Sequence, residues 1–230
     1  IGTGPSLQVA DLERLGGWTT FACNKIFLAF DEVSWRPDYY SLCDVAVAES
    51  CLPQIRREDF ENTEVICSQV TEEVINGRLD ASYYRYSVGN NLQDFYARGV
   101  IQAPRNMIDG VLGGGCSVMI DQLFLCYLMG FKEIVVIGAD LSYFLGRKVG
   151  AACASGELME HESNQNYFHK SYYSKGEVTT VPKVAEMMVA WDYCAKLFEK
   201  EGVTLLNASR ETALESVRRV EFDSIFLRNR

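Results

Sequence analysis

The feature that most constrains this chain is a series of short β-branched or aromatic runs, several apolar on both faces, interleaved with helical patterns. Residues 19–24, 39–47, 63–68 and 133–138 are such runs, each bounded by turn residues or charges, and they read as strands. A strand greasy on both sides is covered on both sides, which is how strands of a parallel sheet look once helices pack above and below it. From Val184 to Phe198 the apolar residues Val184, Met187, Met188, Trp191, Cys194 and Phe198 recur at three- and four-residue steps. The spacing predicts one long helix with an apolar stripe. Pro182 suits its first turn, Gly202 ends it, and residues 203–207 read as another strand. Residues 117–129 are apolar nearly all round and predict a helix buried in the middle of the fold, before the strand at 134–137.

The expected architecture is therefore α/β, mostly parallel, with helices on both faces and one domain over residues 1–230. At 230 residues and 48 % apolar the chain is long enough to bury a real core. A glycine turn opens the chain directly at Ile1, so a first strand is expected before residue 1. Residues 141–180 show neither periodicity and are rich in glycine and tyrosine; they are read as a lid, with room for a short helix inside it.

Composition excludes several roles. The formal charge of −9 is spread along the chain, so no basic surface is expected to neutralise a nucleic-acid backbone. The cysteines Cys23, Cys43, Cys51, Cys67, Cys116, Cys126, Cys153 and Cys194 show no paired metal-ligand spacing. Most fall in apolar runs as small hydrophobes, and free thiols imply a reducing, cytoplasmic compartment. The most apolar stretch, 118–129, is broken by Asp121 and Gln122 and is too short to span a bilayer. The C-terminal stretch from Arg218 mixes bulky apolar residues with arginines. It is expected to dock on its own domain, with a homo-oligomer contact or a membrane-peripheral partner as the alternatives.

In a parallel sheet all strands finish at one edge, so polar residues that end different strands converge in space. Gly2, Thr3, Gly4 and Ser6 lie in a turn after the expected first strand. Asn24 ends the next run, Asp44 follows another, Ser68 ends a fourth, and Asp140 follows the strand at 134–137. Singly, each is an ordinary cap or turn residue; together they mark a site. Two glycines let a backbone approach a ligand closely, and the amides near Ser6 can face an anion. Leu7 stands where a dinucleotide fingerprint has its third glycine, and Pro5 removes an amide, so a nicotinamide cofactor is disfavoured. Gly115 and Ser117 form a second glycine-rich approach to a helix start. In the lid, His169 lies among Tyr167, Tyr172 and Tyr173 and can accept a proton near neutral pH. The tyrosine hydroxyls and lysines around it can hold phosphate oxygens. His161, between Glu160 and Glu162, looks solvated.

Four segments, Gly2-Thr3-Gly4-Pro5-Ser6-Leu7, Phe21-Ala22-Cys23-Asn24, the run from Gly130 to Asp140, and Asn166-Tyr167-Phe168-His169, resemble in this order those of bacterial lipooligosaccharide sialyltransferases. The same landmarks resemble a broader group of surface-polysaccharide proteins and the archaeal 6-hydroxymethyl-dihydropterin pyrophosphokinases. The sialyltransferase resemblance implies a Rossmann-like domain that transfers an acidic sugar from a CMP-activated donor to a glycan acceptor, with inversion and without a cofactor. It implies that the glycine turn with Ser6 lies along the nucleotide and that Asn24 contacts it. His169 would be the general base, and Tyr167 with Tyr172 or Tyr173 would stabilise the departing phosphate. The chain departs from that pattern at Thr3, where the family has asparagine, and at Lys170, where it has serine. The pyrophosphokinase resemblance implies instead Mg2+ and a triphosphate, with Asp44 and Asp140 as carboxylate ligands. A non-catalytic nucleotide or sugar sensor is the third reading.

Overall fold

The computed structural model describes residues 1–87, 92–103, 110–145, 147–149 and 157–227. Five strands form one parallel sheet in sequential order: β1 (Phe21–Cys23), β2 (Tyr39–Ser41), β3 (Glu64–Ser68), β4 (Ala81–Tyr86) and β5 (Val111–Leu112). A second parallel set has β6 (Glu133–Val136) and β11 (Arg218–Arg219) flanking β10 (Thr204–Asn207), with Ile134 opposite Leu205. Residues 1–4 run between the two sets. The Ile1 nitrogen donates to the Phe21 carbonyl at 2.6 Å, and the Gly2 and Gly4 amides donate to the Ile137 and Gly138 carbonyls at 2.8 and 3.0 Å.

The strands alternate their side chains between two cores, as a period of two requires. Phe21, Tyr84, Ile134 and Val136 face one cluster, which receives helix α4 (Leu92–Ala97), helix α5 (Val118–Leu128) and helix α6 (Val184–Lys200). Ala22, Tyr83, Val135 and Ile137 face the other, which receives helices α1 (Val9–Leu12), α2 (Val45–Cys51) and α3 (Glu72–Ile75). This is a Rossmann-like α/β fold. The apolar stripe read from the sequence is the buried face of α6, with Trp191, Cys194 and Phe198 all at most 1 % exposed. The C-terminal segment folds back on the domain, where Phe222 and Ile225 are buried in the second core.

Three expectations need correction. The strand expected over residues 39–47 stops at Ser41, because the Asp44 carboxylate accepts the Val47 amide at 3.0 Å and starts helix α2 there. Strand β4, with its three tyrosines, was not anticipated; parallel pairing with β3 holds it. The described part of the lid holds no helix. It forms a small antiparallel sheet of β7 (Arg147–Lys148), β8 (Leu158–Glu160) and β9 (Val178–Thr180), pairings too short and too distant in sequence to leave a periodic signal. No helix among the described residues is long and apolar enough to cross a membrane. The described cysteines are free, with Cys116 exposed and Cys43 half-buried; Cys153 lies outside the described residues.

Candidate functional site

Residues 1–4 have β1 on one side and β6 on the other, so the chain winds in opposite directions from this point. Ligands of open α/β sheets bind outside the carboxyl ends of the strands at such a switch. A crevice of about 560 Å³ opens there, walled by the Gly2–Gly4 turn, Asn24, the start of α5, the turn after β6 and the lid at Asn166 and Tyr167. Of the residues singled out in the sequence, Gly2, Thr3, Gly4, Asn24, Ser117, Asp140 and Tyr167 line it.

The glycine turn is built for contact with the protein itself. A Cβ on Gly4 would sit 2.7 Å from the Asp140 carboxyl and 2.8 Å from the Gly138 carbonyl oxygen. Ser6 does not present its amide to an anion; the amide donates to Asp140 Oδ2 at 2.6 Å, and the Ser6 hydroxyl donates to Oδ1. Thr3 ties the turn to the lid through its hydroxyl, 2.9 Å from the Tyr172 hydroxyl, and through its carbonyl, which accepts the Phe168 amide at 3.1 Å. Gly4→Ala is therefore expected to cost about 1–3 kcal/mol in urea unfolding by overpacking. An unchanged midpoint would show that Asp140 moves aside freely.

Asn24 ends β1 in the left-handed region, φ +51°, where a short polar side chain is tolerated and most L residues are not. Across the crevice, residues 113–117 lead into α5. Gly113 and Gly114 have φ of +111° and +87°, and the Ser117 hydroxyl caps the helix by accepting the Met119 amide at 3.3 Å. The remaining amides of that helix start carry partial positive charge towards the crevice. Gly115 stands behind this wall, packed against Ile120.

Asp140 is the one carboxylate among the described lining residues. Burial pushes its pKa up, opposed by the two donors of Ser6. Tyr143 also lines the crevice, its hydroxyl pushed up to about 12 by burial. Tyr167 is shifted up for the same reason and stacks on Tyr172 with centroids 4.1 Å apart.

The other expected residues lie elsewhere. Tyr172 and Tyr173 are buried behind Tyr167 and form a wall around Lys25. Lys25 Nζ donates to the Tyr172 carbonyl at 2.7 Å, lies 4.5 Å from the Tyr173 ring centroid and is 3.6 Å from Glu177 Oε1. Burial lowers the Lys25 pKa, and Glu177 opposes that. His161 is buried rather than solvated: it stacks on Tyr173 at 4.0 Å and meets the Thr179 hydroxyl at 2.7 Å. His169 is not among the lining residues; its Nδ1 accepts the Ser171 amide at 3.2 Å and its Nε2 is 3.7 Å from Glu32. Asp44 caps α2, and Ser68 is fully buried with its hydroxyl unpaired among the described residues.

Sequence reasoning missed Tyr143, Asn166 and Trp191, all of which line the crevice. Tyr143 was within reach of the strand-end argument, three residues past Asp140. Trp191 was read as core only, and its outer edge is the crevice floor. Asn166 holds the lip, with its side chain exchanging two 2.8 Å hydrogen bonds with the Phe144 backbone. Among the described residues no group of three or more His, Cys, Asp or Glu side chains forms a metal cage, and Asp44 does not join Asp140 at the crevice. Comparison with family models, with curated proteins and with solved structures returned no match for this chain.

Proposed function

We propose that this chain is a glycosyltransferase that binds a CMP-activated acidic sugar in the switch-point crevice and passes the sugar, with inversion, to a hydroxyl of a glycan acceptor. The observation that carries this reading is the charge of the crevice. Its described lining has no lysine or arginine and one carboxylate, with its donors being helix-start amides, the Asn24 side chain and the Tyr143 and Tyr167 hydroxyls. A triphosphate brings roughly four negative charges and needs metal or basic side chains to hold it. A CMP-activated acidic sugar brings about two, one on the phosphodiester and one on the sugar carboxylate, which oriented amides and hydroxyls can hold. Asp44 and Asp140, the carboxylates expected to bind magnesium in the alternative reading, do not share the crevice, which favours the metal-independent one.

In the proposed reaction the acceptor oxygen forms the new bond to the anomeric carbon as the bond to the phosphate oxygen breaks. The acceptor proton passes to Asp140, and CMP leaves with the electron pair on its phosphate, where the Tyr143 hydroxyl donates a hydrogen bond. A carboxylate whose pKa is raised by burial, and which accepts two hydrogen bonds from Ser6, is a stronger base than one in water. His169 is the alternative base, and its imidazole is turned to Glu32 instead.

Thermal shifts with CMP, CTP and ATP, each with magnesium or with EDTA, test the binding half. The expected result is stabilisation by CMP in either condition; stabilisation by ATP only with magnesium would overturn the reading in favour of a pyrophosphokinase. For the chemical half, CMP release from CMP-N-acetylneuraminic acid and CMP-Kdo is followed with oligosaccharide acceptors. Asp140→Asn is expected to retain the CMP shift and lose about a hundredfold or more in turnover, whereas His169→Ala changes turnover little. Loss in His169→Ala alone would move the base to the histidine. CMP binding without turnover in the unmodified protein would leave a sensor.

A further inference from the structure

The residue after Asn24 is a lysine that no step of the proposed chemistry uses. Asn24 turns the chain at the end of β1, and the Lys25 side chain, 1 % exposed, enters the seam between β1, helix α2 and the lid. A buried ammonium is costly unless it is paired and hydrogen-bonded, whereas a methionine would fill the same space without that cost. Among the described residues, every polar or aromatic partner of Lys25 Nζ belongs to the lid. They are the Tyr172 carbonyl at 2.7 Å, Glu177 Oε1 at 3.6 Å, and the rings of Tyr173 and Tyr172, with centroids at 4.5 and 5.8 Å.

These partners sit in one self-bonded unit. The Asn164 side chain accepts the Tyr173 amide at 2.8 Å and donates to the Lys170 and Tyr173 carbonyls at 2.7 and 2.8 Å. Glu177 accepts the Ser174 amide at 2.9 Å on one carboxylate oxygen and the hydroxyl of Ser50, from α2, on the other. The same unit reaches the crevice. Tyr167 lines it and stacks on Tyr172; the Tyr172 hydroxyl meets that of Thr3 at 2.9 Å, and the Phe168 amide donates to the Thr3 carbonyl at 3.1 Å. The ammonium is thus bonded to the backbone of the residue whose ring carries Tyr167. A lid shifted by one residue would leave that charge buried without its partners, an error that apolar packing alone would tolerate.

We propose that Lys25 is a positioning residue for the crevice: its buried ammonium admits one register of residues 164–177 against the end of β1, and so sets where the Tyr167 hydroxyl stands relative to the Gly2–Gly4 turn. Its consequence for donor binding rests on the glycosyltransferase reading; its hold on the lid does not.

The test compares the unmodified chain with Lys25→Met, which keeps the side-chain length and removes the ammonium, and with Glu177→Gln, which keeps the shape and removes the countercharge. Hydrogen exchange at the Phe168 amide is expected to be at least about tenfold faster in Lys25→Met. Exchange at Ser68 and Ala208, whose amides donate to the Leu42 and Val136 carbonyls inside the two strand sets, should change by less than about twofold. Glu177→Gln should move Phe168 in the same direction by a smaller factor, and its exchange decides if Lys25→Met does not fold. Unchanged exchange at Phe168, or equal acceleration at all three amides, would overturn the proposal, because a lysine that only fills space gives one or the other. With CMP-N-acetylneuraminic acid or CMP-Kdo as donor, Lys25→Met is expected to raise the donor KM about tenfold and to change kcat by less than about threefold, the signature of a contact made equally in the ground and transition states. A kcat loss at unchanged KM would remove Lys25 from the positioning of Tyr167. Where the unmodified protein neither binds CMP nor releases it from these donors, the glycosyltransferase reading fails by itself, and Phe168 exchange still decides for or against the hold of Lys25 on the lid.

Discussion

Trp191→Ala is expected to lower stability by about 3–5 kcal/mol, equivalent to a Tm lower by roughly 10–15 °C, with Trp191→Phe losing far less. Trp191 is 1 % exposed, on the inner face of α6, and belongs to the core cluster formed by α5, α6 and β6. Removing an indole there leaves a cavity that the surrounding rigid elements cannot close. The same side chain lines the crevice, so the void opens towards it. A second readout follows: at a temperature where Trp191→Ala is still folded, its CMP-induced thermal shift should be reduced relative to that of Trp191→Phe. Equal unfolding midpoints for the alanine variant and the unmodified protein would mean that Trp191 is not packed as described.

The second large effect is on pH dependence and centres on Asp121. This carboxyl is 2 % exposed on α5; the Tyr84 hydroxyl donates to its Oδ2 at 2.7 Å, and the Gly113 amide also donates to it. Burial outweighs both donors and pushes its pKa up to about 7. An acid whose pKa is raised by folding binds more protons in the native than in the unfolded chain, so stability falls as pH rises between the two values. From pH 5 to pH 8 this one group is expected to remove about 3 kcal/mol. The depressed pKa values of Asp59 and Glu177 act the other way, but below this window; the lowered His161 pKa acts the other way within part of it. The measurement is therefore a difference. Urea unfolding of the unmodified protein and of Asp121→Asn at several pH values should diverge by that amount, with the asparagine variant losing less stability on going to pH 8. Parallel profiles would show that Asp121 is ionised in the native state at pH 5. Because Gly113 begins the loop that leads into the start of α5, ionisation of Asp121 also bears on the crevice wall.

Much of this arrangement is legible in the amino-acid sequence, for an identifiable reason. Parallel strands finish at one edge, so the polar residues that end them are neighbours whatever their separation in sequence. Asn24 and Asp140 meet the Gly2–Gly4 turn in one crevice on that ground alone. The long helix followed from a period of 3.6, and the buried helix α5 and strands β1, β2, β3, β6 and β10 from apolar runs bounded by turn residues or charges. The sheet of the lid and strand β4 did not, since a two- or three-residue antiparallel pairing, or a tyrosine-rich strand held between β3 and β5, is stabilised by its partners rather than by its own pattern.

Local patterning thus determined the class of fold, the direction of its sheet and the edge at which the crevice opens, because side-chain periodicity and strand ends are properties of short stretches. Only the tertiary structure decided what each polar group does at that edge. Asp140 is held by Ser6, Asp44 is used to start a helix, His169 faces Glu32, and the glycines admit the Gly138 carbonyl and Asp140. Such assignments depend on which of several possible partners reaches hydrogen-bond distance first, and that is set by how elements far apart in sequence pack against one another.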